Sequence, residues 1–257
     1  MSIDCHIHLF KKEHPTVASA RHLPQYDALL SEVQSLGKPL GVEQFVLVQT
    51  SFMGTNNDYL VEQMQQCLTQ LRGVFILAPD TSRATLRDLK SSGVVGIRLN
   101  LFGTDLNVSL DQAQLQLIEN CSAEGLSIGI HDDAQRLVTI LDRVQLRAQR
   151  LVIDHFGRPE SLPLADQDPI YSALIEKMAA MNAYIKISAP YRAKNMDPAR
   201  AYHFLEKTLG IDRLLWGSDW PWTQSENYLT YEQWAYPFGS VNLAKLLAPN
   251  AKYFYEF

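Results

Sequence analysis

Eight short runs of β-branched and aliphatic residues recur along the chain, most separated by a stretch with helical spacing. That alternation limits the possible folds more than any other feature. The runs are Ile3–Phe10, Gln44–Thr50, Val74–Pro79, Val94–Leu101, Leu126–His131, Leu151–Phe156, Tyr184–Ala189 and Leu214–Trp220. Most are nearly continuous in Val, Ile and Leu, as strands buried on both faces of a parallel sheet require. Between them, "DYLVEQMQQCLTQL" sets Leu60, Met64, Cys67, Leu68 and Leu71 on one helical side. "SLDQAQLQLIENCSAEG" offers Ser109 as an N-cap and Gly125 just past the helix end. "DDAQRLVTILDRVQLRAQR" alternates apolar and charged residues at the helical period, whereas the eighth helix, within "GSVNLAKLLAPNAKYF", is the weakest. No Ser/Gly-rich linker, repeat or low-complexity tract interrupts the series. The pattern predicts an α/β fold, a single (β/α)8 TIM barrel with residues 1–257 as one domain. A doubly wound open sheet would call for a glycine loop after the first strand, and "DCHIHLF" contains no glycine.

Composition excludes several classes of function. A chain of 257 residues with 46% hydrophobic and 20% charged residues reads as an ordinary globular protein of barrel length. The formal net charge of −5 gives no electrostatic reason to expect nucleic acid or an acidic membrane as partner. No window approaches the roughly 18 consecutive apolar residues of a membrane span. No basic stretch followed by an apolar one opens the chain, so no secretion signal is expected. Cys5, Cys67 and Cys121 are odd in number and widely spaced, which suits reduced thiols in the cytoplasm. A homo-oligomer is compatible with the sequence, which does not fix the oligomeric state.

Polar residues gather where the runs end. In "MSIDCHIHLF", strict strand alternation puts Asp4, His6 and His8 on one face and Cys5 and Ile7 on the other. A buried strand face of that kind is costly unless its groups are paired, ligate an ion or do chemistry. Strand four carries Arg98 and Asn100, strand five ends in His131 with Asp132 and Asp133, strand six holds Asp154 and His155, and strand eight holds Asp219. In a barrel the C-terminal strand ends share one mouth. Four histidines and an aspartate from four strands would therefore meet in a single pocket.

Those residues, with "DCHIHLF", "LPQYDALL", "VLVQTSFMGTNNDYL", "APDTSRATLRDL", "GVVGIRLNL", "LVIDHFGRP" and "LLWGSDWPW" in order from residue 4 to residue 222, resemble the amidohydrolase superfamily. The similarity is greatest to its 2-pyrone-4,6-dicarboxylate lactonases. The resemblance implies a hydrolase that opens a small carboxylated lactone ring. Asp219 would be the general base that activates water, and His6, His8 and His155 would stabilise the oxyanion directly or through a metal. Arg98 stands where binuclear members carry a bridging lysine, so a bridged two-metal site is not expected, and its fork suits a substrate carboxylate. Tyr191 and Arg192 form a second candidate clamp, Thr50 and Ser51 could bond the ligand, and Tyr26 lies in a matching stretch. Trp216, Trp220 and Trp222 are read as walls of the pocket and barrel end.

Two departures bear on substrate and metal. Where the lactonases carry a second basic residue after the strand-four arginine, "LFGTD" offers Thr104 and Asp105. A second carboxylate then lacks its partner, and a monocarboxylated or neutral sugar lactone becomes an alternative substrate. Trp222 occupies a position that is smaller and polar in relatives, which would narrow the pocket. His6, His8, His131 and Asp219 would make a mononuclear Zn²⁺ set, so both one divalent metal and metal-independent catalysis stay open. With zinc, a decarboxylase of the same superfamily is the alternative enzyme. On any of the hydrolase readings, Asp219→Asn should leave the fold intact and lower kcat by on the order of 10² or more. Near-full activity of that variant on a confirmed lactone would make Asp219 a structural residue.

Overall fold

Eight parallel strands form one sheet in the order of the sequence. They are β1 (Ser2–Ile7), β2 (Val42–Val48), β3 (Leu71–Phe75), β4 (Val94–Asn100), β5 (Ser127–His131), β6 (Leu151–Ile153), β7 (Tyr184–Ile187) and β8 (Leu214–Trp216). This is a computed structural model that describes residues 2–67, 70–159, 168–193, 197–227, 230–237 and 240–257. The helices are α1 (Leu30–Gly37), α2 (Asp58–Gln66), α3 (Arg83–Ser91), α4 (Leu106–Ser109), α5 (Gln112–Ala123) and α6 (Ala134–Val144). They continue with α7 (Pro169–Ala180), α8 (Pro198–Leu209), α9 (Tyr231–Ala235), α10 (Leu243–Leu246) and α11 (Ala248–Tyr255). The architecture is the expected (β/α)8 barrel. None of the described helices is long and apolar enough to cross a membrane.

Two apolar clusters hold it. The larger lies between sheet and helices and joins strand residues such as Ile97 and Ile130 to Leu117, Leu137 and Ile140. The smaller fills the barrel with Cys5, Val46, Val74, Val95, Val152 and Leu215, and takes in Phe254 and Tyr255 from α11. The C-terminal helix therefore closes the end opposite the mouth. Helices start where an aspartate can accept from a free N–H: Asp111 caps α5, Asp168 caps α7 and Asp197 caps α8.

Three local expectations are corrected. The helical spacing read through Leu71 stops at Gln66, since the chain turns at Cys67 and enters β3 at Leu71, three residues before the predicted strand. Leu68 lies outside the described residues. Ser109 ends the short α4, and the cap of α5 is Asp111. The alternation read for β1 also fails, because its pairing with β2 shifts register between Asp4 and Ile7. Such a bulge re-aims side chains. Cys5 joins the cluster inside the barrel. Asp4 does not share a face with the histidine rings: it accepts from Ser218 N at 2.9 Å, His6 N at 3.1 Å and Tyr231 Oη at 2.7 Å.

The barrel closes between β8 and β1. Beyond Trp216 the chain continues alongside β1, with Asp219 N donating to His6 O and His8 N to Trp220 O, both at 2.9 Å. The approach is so tight that a Cβ on Gly217 would lie 2.7 Å from His6 Cβ and 3.0 Å from His6 N. Only glycine fits there without moving the strand that carries the histidines. Gly217→Ala should destabilise the fold by about 1–3 kcal/mol through overpacking. It should also lower activity, and thermal denaturation with steady-state kinetics would read both effects; an unchanged Tm would mean that the seam yields freely.

Candidate active site

At the mouth of the barrel lies a cavity of about 380 Å³. Asp219 is fully buried behind the cavity wall, against His8, Tyr191 and Arg192, which line it; Asp219, His6 and His155 are not themselves among the lining residues. Asp219 Oδ1 lies 3.4 Å from His6 Nε2, 3.3 Å from His8 Nε2 and 3.7 Å from His155 Nε2. Its Oδ2 accepts from Arg192 Nε at 3.1 Å and Nη2 at 3.0 Å, and from the Tyr191 hydroxyl. Backbone geometry helps to aim these groups. His155, Ala189 and Asp219, just past β6, β7 and β8, have φ of 55°, 49° and 60°. Each such left-handed residue costs on the order of 1–3 kcal/mol, which the surrounding packing must offset.

Two buried atoms here, Asp219 Oδ1 and His155 Nε2, have no hydrogen-bond partner among the described residues. They point to a place for a polar guest. Burial by itself would raise the Asp219 pKa, but the Arg192 charge and the histidines together hold the carboxyl well below its usual value. Burial and the nearby Lys186 ammonium push His6 down to about 3. His131 and His155 are likewise held well below 6.5, by burial first and then by neighbouring cationic groups and imidazoles. The three rings are neutral at ordinary pH.

The other predicted residues divide. Arg98, Arg192, Tyr191, Thr50 and Ser51 all line the cavity. Arg98 is also partly committed, with Nε 3.3 Å from Asp154 Oδ2 and Nη1 3.1 Å from Gln49 O. Thr50 keeps its buried Oγ1 free of partners among the described residues. His131 lines the cavity with its ring centroid 5.0 Å from that of His155, and its nitrogens are engaged by Asn100 Oδ1 at 3.2 Å and Arg158 Nη1 at 3.4 Å. Tyr26 does not reach the cavity; its hydroxyl donates to Glu226 Oε1 at 2.8 Å and its ring packs on Phe10. Trp216, Trp220 and Trp222 are not among the lining residues either, so Trp222 does not narrow this space.

Sequence reasoning gave no role to Arg158, Arg21 or Lys186. Arg158 and Arg21 line the cavity from the loops after β6 and β1, and both stack on Phe102, at 4.0 Å and 4.9 Å. The positive charge missing at Thr104 is thus supplied from elsewhere in the chain. No acidic residue is among the lining residues, which makes the mouth attractive to anions. Arg158 lay within the quoted "IDHFGRP", and Lys186 was signalled by a lone lysine inside the apolar run "YIKI".

The ligating atoms of His6, His155 and Asp219 lie within 4.8 Å of one another, a triad that could approach a metal ion. The strand-six histidine thus takes the place expected of His131. The hydrogen bonding does not suit a divalent cation. A ligating imidazole donates its other N–H to an acceptor, but His6 Nδ1 meets the donor-only ammonium of Lys186 at 3.1 Å. The one carboxylate of the set is already neutralised by Arg192.

A carboxylate ringed by histidines at the C-terminal mouth of a (β/α)8 barrel stands where enzymes of this fold carry their active sites. The chain belongs to the amidohydrolase family, whose profile matches residues 3–257, and is an enzyme of that superfamily. It is 26% identical over 234 residues to the 2-pyrone-4,6-dicarboxylate hydrolase of Comamonas testosteroni, covering 86% of this chain and 76% of that one. The 4-sulfomuconolactone hydrolase of Hydrogenophaga intermedia is 24% identical over 227 residues, covering 86% and 74%. A crystal structure from Acinetobacter baumannii, provisionally assigned as a 2-pyrone-4,6-dicarboxylic acid hydrolase and holding citric acid, superposes with a TM-score of 0.90. It is 29% identical and the match covers 100% of this chain and 99% of that one.

The depressed histidines set a pH dependence of stability. Below 6.5 the unfolded chain protonates His6, His131 and His155 while the folded chain does not, so stability falls as pH falls. Asp4 opposes this: burial raises it to about 6, so between 3.8 and 6 the folded state holds one proton that the unfolded state lacks. With three histidines against one aspartate, unfolding takes up protons over this window, and stability should fall as pH drops from 6.5 toward about 4. Denaturant unfolding measured across it checks the slope; a flat profile would mean that the histidines are charged in the folded protein.

Proposed function

We propose that the protein hydrolyses a small lactone bearing two anionic groups, without a metal ion. The observation that carries this reading is the pair of partnerless buried atoms, Asp219 Oδ1 and His155 Nε2, behind the wall of a cavity lined by four arginines and no acid. In this reading a water molecule donates to Asp219 Oδ1 and attacks the lactone carbonyl carbon. Asp219 takes the proton, and charge develops on the carbonyl oxygen beside His155, whose Nε2 has no partner among the described residues. Preorganised donors at that point lower the barrier. Collapse breaks the ring C–O bond, and the departing oxygen recovers the proton, giving the ring-opened acid. Three unpaired cysteines fit a reducing compartment such as the cytoplasm.

Arg192 links binding to chemistry. As long as it pairs only with Asp219, the carboxylate is a weak base. A substrate carboxylate that shares the guanidinium would draw charge from Asp219 and raise its basicity when the ring is in place. Arg98 and Arg158 supply forks for the anionic groups, and Arg21 adds charge at the rim. The lactone hydrolases named above act on substrates of this kind, and citrate in the Acinetobacter protein is a polycarboxylate.

Each charge-assisted bidentate pair contributes roughly 1.5–3 kcal/mol, or about a tenfold to hundredfold change in affinity. A pyrone dicarboxylate should therefore surpass a monocarboxylated analogue by about that factor in kcat/KM, and Arg98→Met or Arg158→Met should erase most of the difference. Proton release with matched lactones, with and without chelator, measures this. A neutral lactone turned over as fast as the dicarboxylate, or activity abolished by chelator, would overturn the reading.

A further inference from the structure

Lys186 is 1% exposed, an ammonium inside the barrel on β7. A buried charge of this kind persists only when paired. Its Nζ lies 3.2 Å from Asp154 Oδ1 and 3.1 Å from His6 Nδ1, and 5.7 Å from the centre of the Tyr255 ring. The two near contacts differ in kind. Lys186 makes a hydrogen bond to His6 Nδ1 at 3.1 Å, while Asp154 Oδ1 lies 3.2 Å from Nζ and 3.4 Å from His6 Nδ1 without a well-aligned bond from either. Asp154 meets Lys186 as a charge, and its Oδ2 belongs to Arg98.

A chain of hydrogen bonds follows whose direction is set at both ends. Lys186 can only donate, so His6 Nδ1 accepts. At the far end His8 Nδ1 lies 2.7 Å from the carbonyl of Val48, which can only accept, so His8 Nδ1 carries a proton. The Lys186 contact leaves the His6 proton on Nε2, which faces His8 Nε2 at 3.3 Å and Asp219 Oδ1 at 3.4 Å.

We infer that Lys186 is a positioning residue that holds His6 in its Nε2–H form, so that this N–H faces His8 and closes the His6–His8 pair to a divalent cation. To ligate, His6 would need its proton on Nδ1, facing an ammonium. Without Lys186, Asp154 Oδ1 is poised to accept that proton, and the carboxylate–histidine arrangement of a metal site would form from residues already present. Neither the tautomer nor the metal preference rests on the proposed hydrolysis.

The tautomer is measured in the unaltered protein by long-range ¹H–¹⁵N correlation of the histidine rings, with His6 assigned by the loss of its signals in His6→Gln. The Nε2–H pattern is expected for His6; the Nδ1–H pattern would overturn the inference whatever any variant does. In Lys186→Met, with folding verified by circular dichroism, His6 should change to Nδ1–H, and zinc affinity by titration calorimetry should rise at least tenfold over the unaltered protein. A folded variant that keeps the Nε2–H pattern, or binds zinc no more tightly, would also overturn it. Neither readout uses turnover, so a failure of the lactonase reading leaves this test intact.

Discussion

Asp219 N donates to His6 O and His8 N donates to Trp220 O, and these two bonds fasten the end of β8 onto β1. The same seam closes the barrel and assembles the site, because the base comes from one side of it and two of the histidines from the other. The side-chain carboxylate of Asp4 fixes it from below by accepting from Ser218 N, His6 N and Tyr231 Oη. Gly217 permits the approach by having no side chain. A shift of β8 against β1 would separate Asp219 from His6 and His8 at once, so the fold and the site depend on a single contact.

Buried charge is the second constraint. Two carboxylates, Asp154 and Asp219, face three cations, Arg98, Lys186 and Arg192, all within or just below the cavity. Removing one partner from such a set leaves an uncompensated charge in a dry place, which costs far more than the pair contributes to stability. The arrangement instead fixes orientation. Asp154 anchors Arg98 toward the cavity and holds Lys186 beneath His6, while Arg192 holds the base in its charged form. Neutral histidines lie between them, available as donors or acceptors because their surroundings exclude the protonated form.

The cavity also draws its cationic character from unrelated parts of the chain. Arg98 comes from a strand, Arg158 and Arg192 from short turns just past β6 and β7, and Arg21 from the long loop after β1. Phe102 lies against both Arg21 and Arg158, giving two flexible side chains a common aromatic surface. A positive mouth built from several loops can be retuned at one loop without disturbing the base and histidines below it.

The barrel was legible in the sequence because eight apolar runs at strand length, with helical spacing between most of them, leave few other ways to bury both faces of a sheet. The polar strand ends were legible for the same reason: His6, His8, His155 and Asp219 interrupt apolar runs where a barrel opens. Residues whose roles depend on distance along a surface were not. Tyr26 shares a matching stretch yet bonds Glu226, 200 positions away, and Arg158 stands in the same stretch as His155, yet only the fold shows that it faces the cavity. The β1 bulge undid an alternation that is strict only in regular strands, and so separated Asp4 from the histidine rings. The role of Lys186 was beyond any reading of the sequence. What a lysine does to an imidazole depends on which nitrogen it meets, and only the closed barrel brings β7 within 3.1 Å of His6.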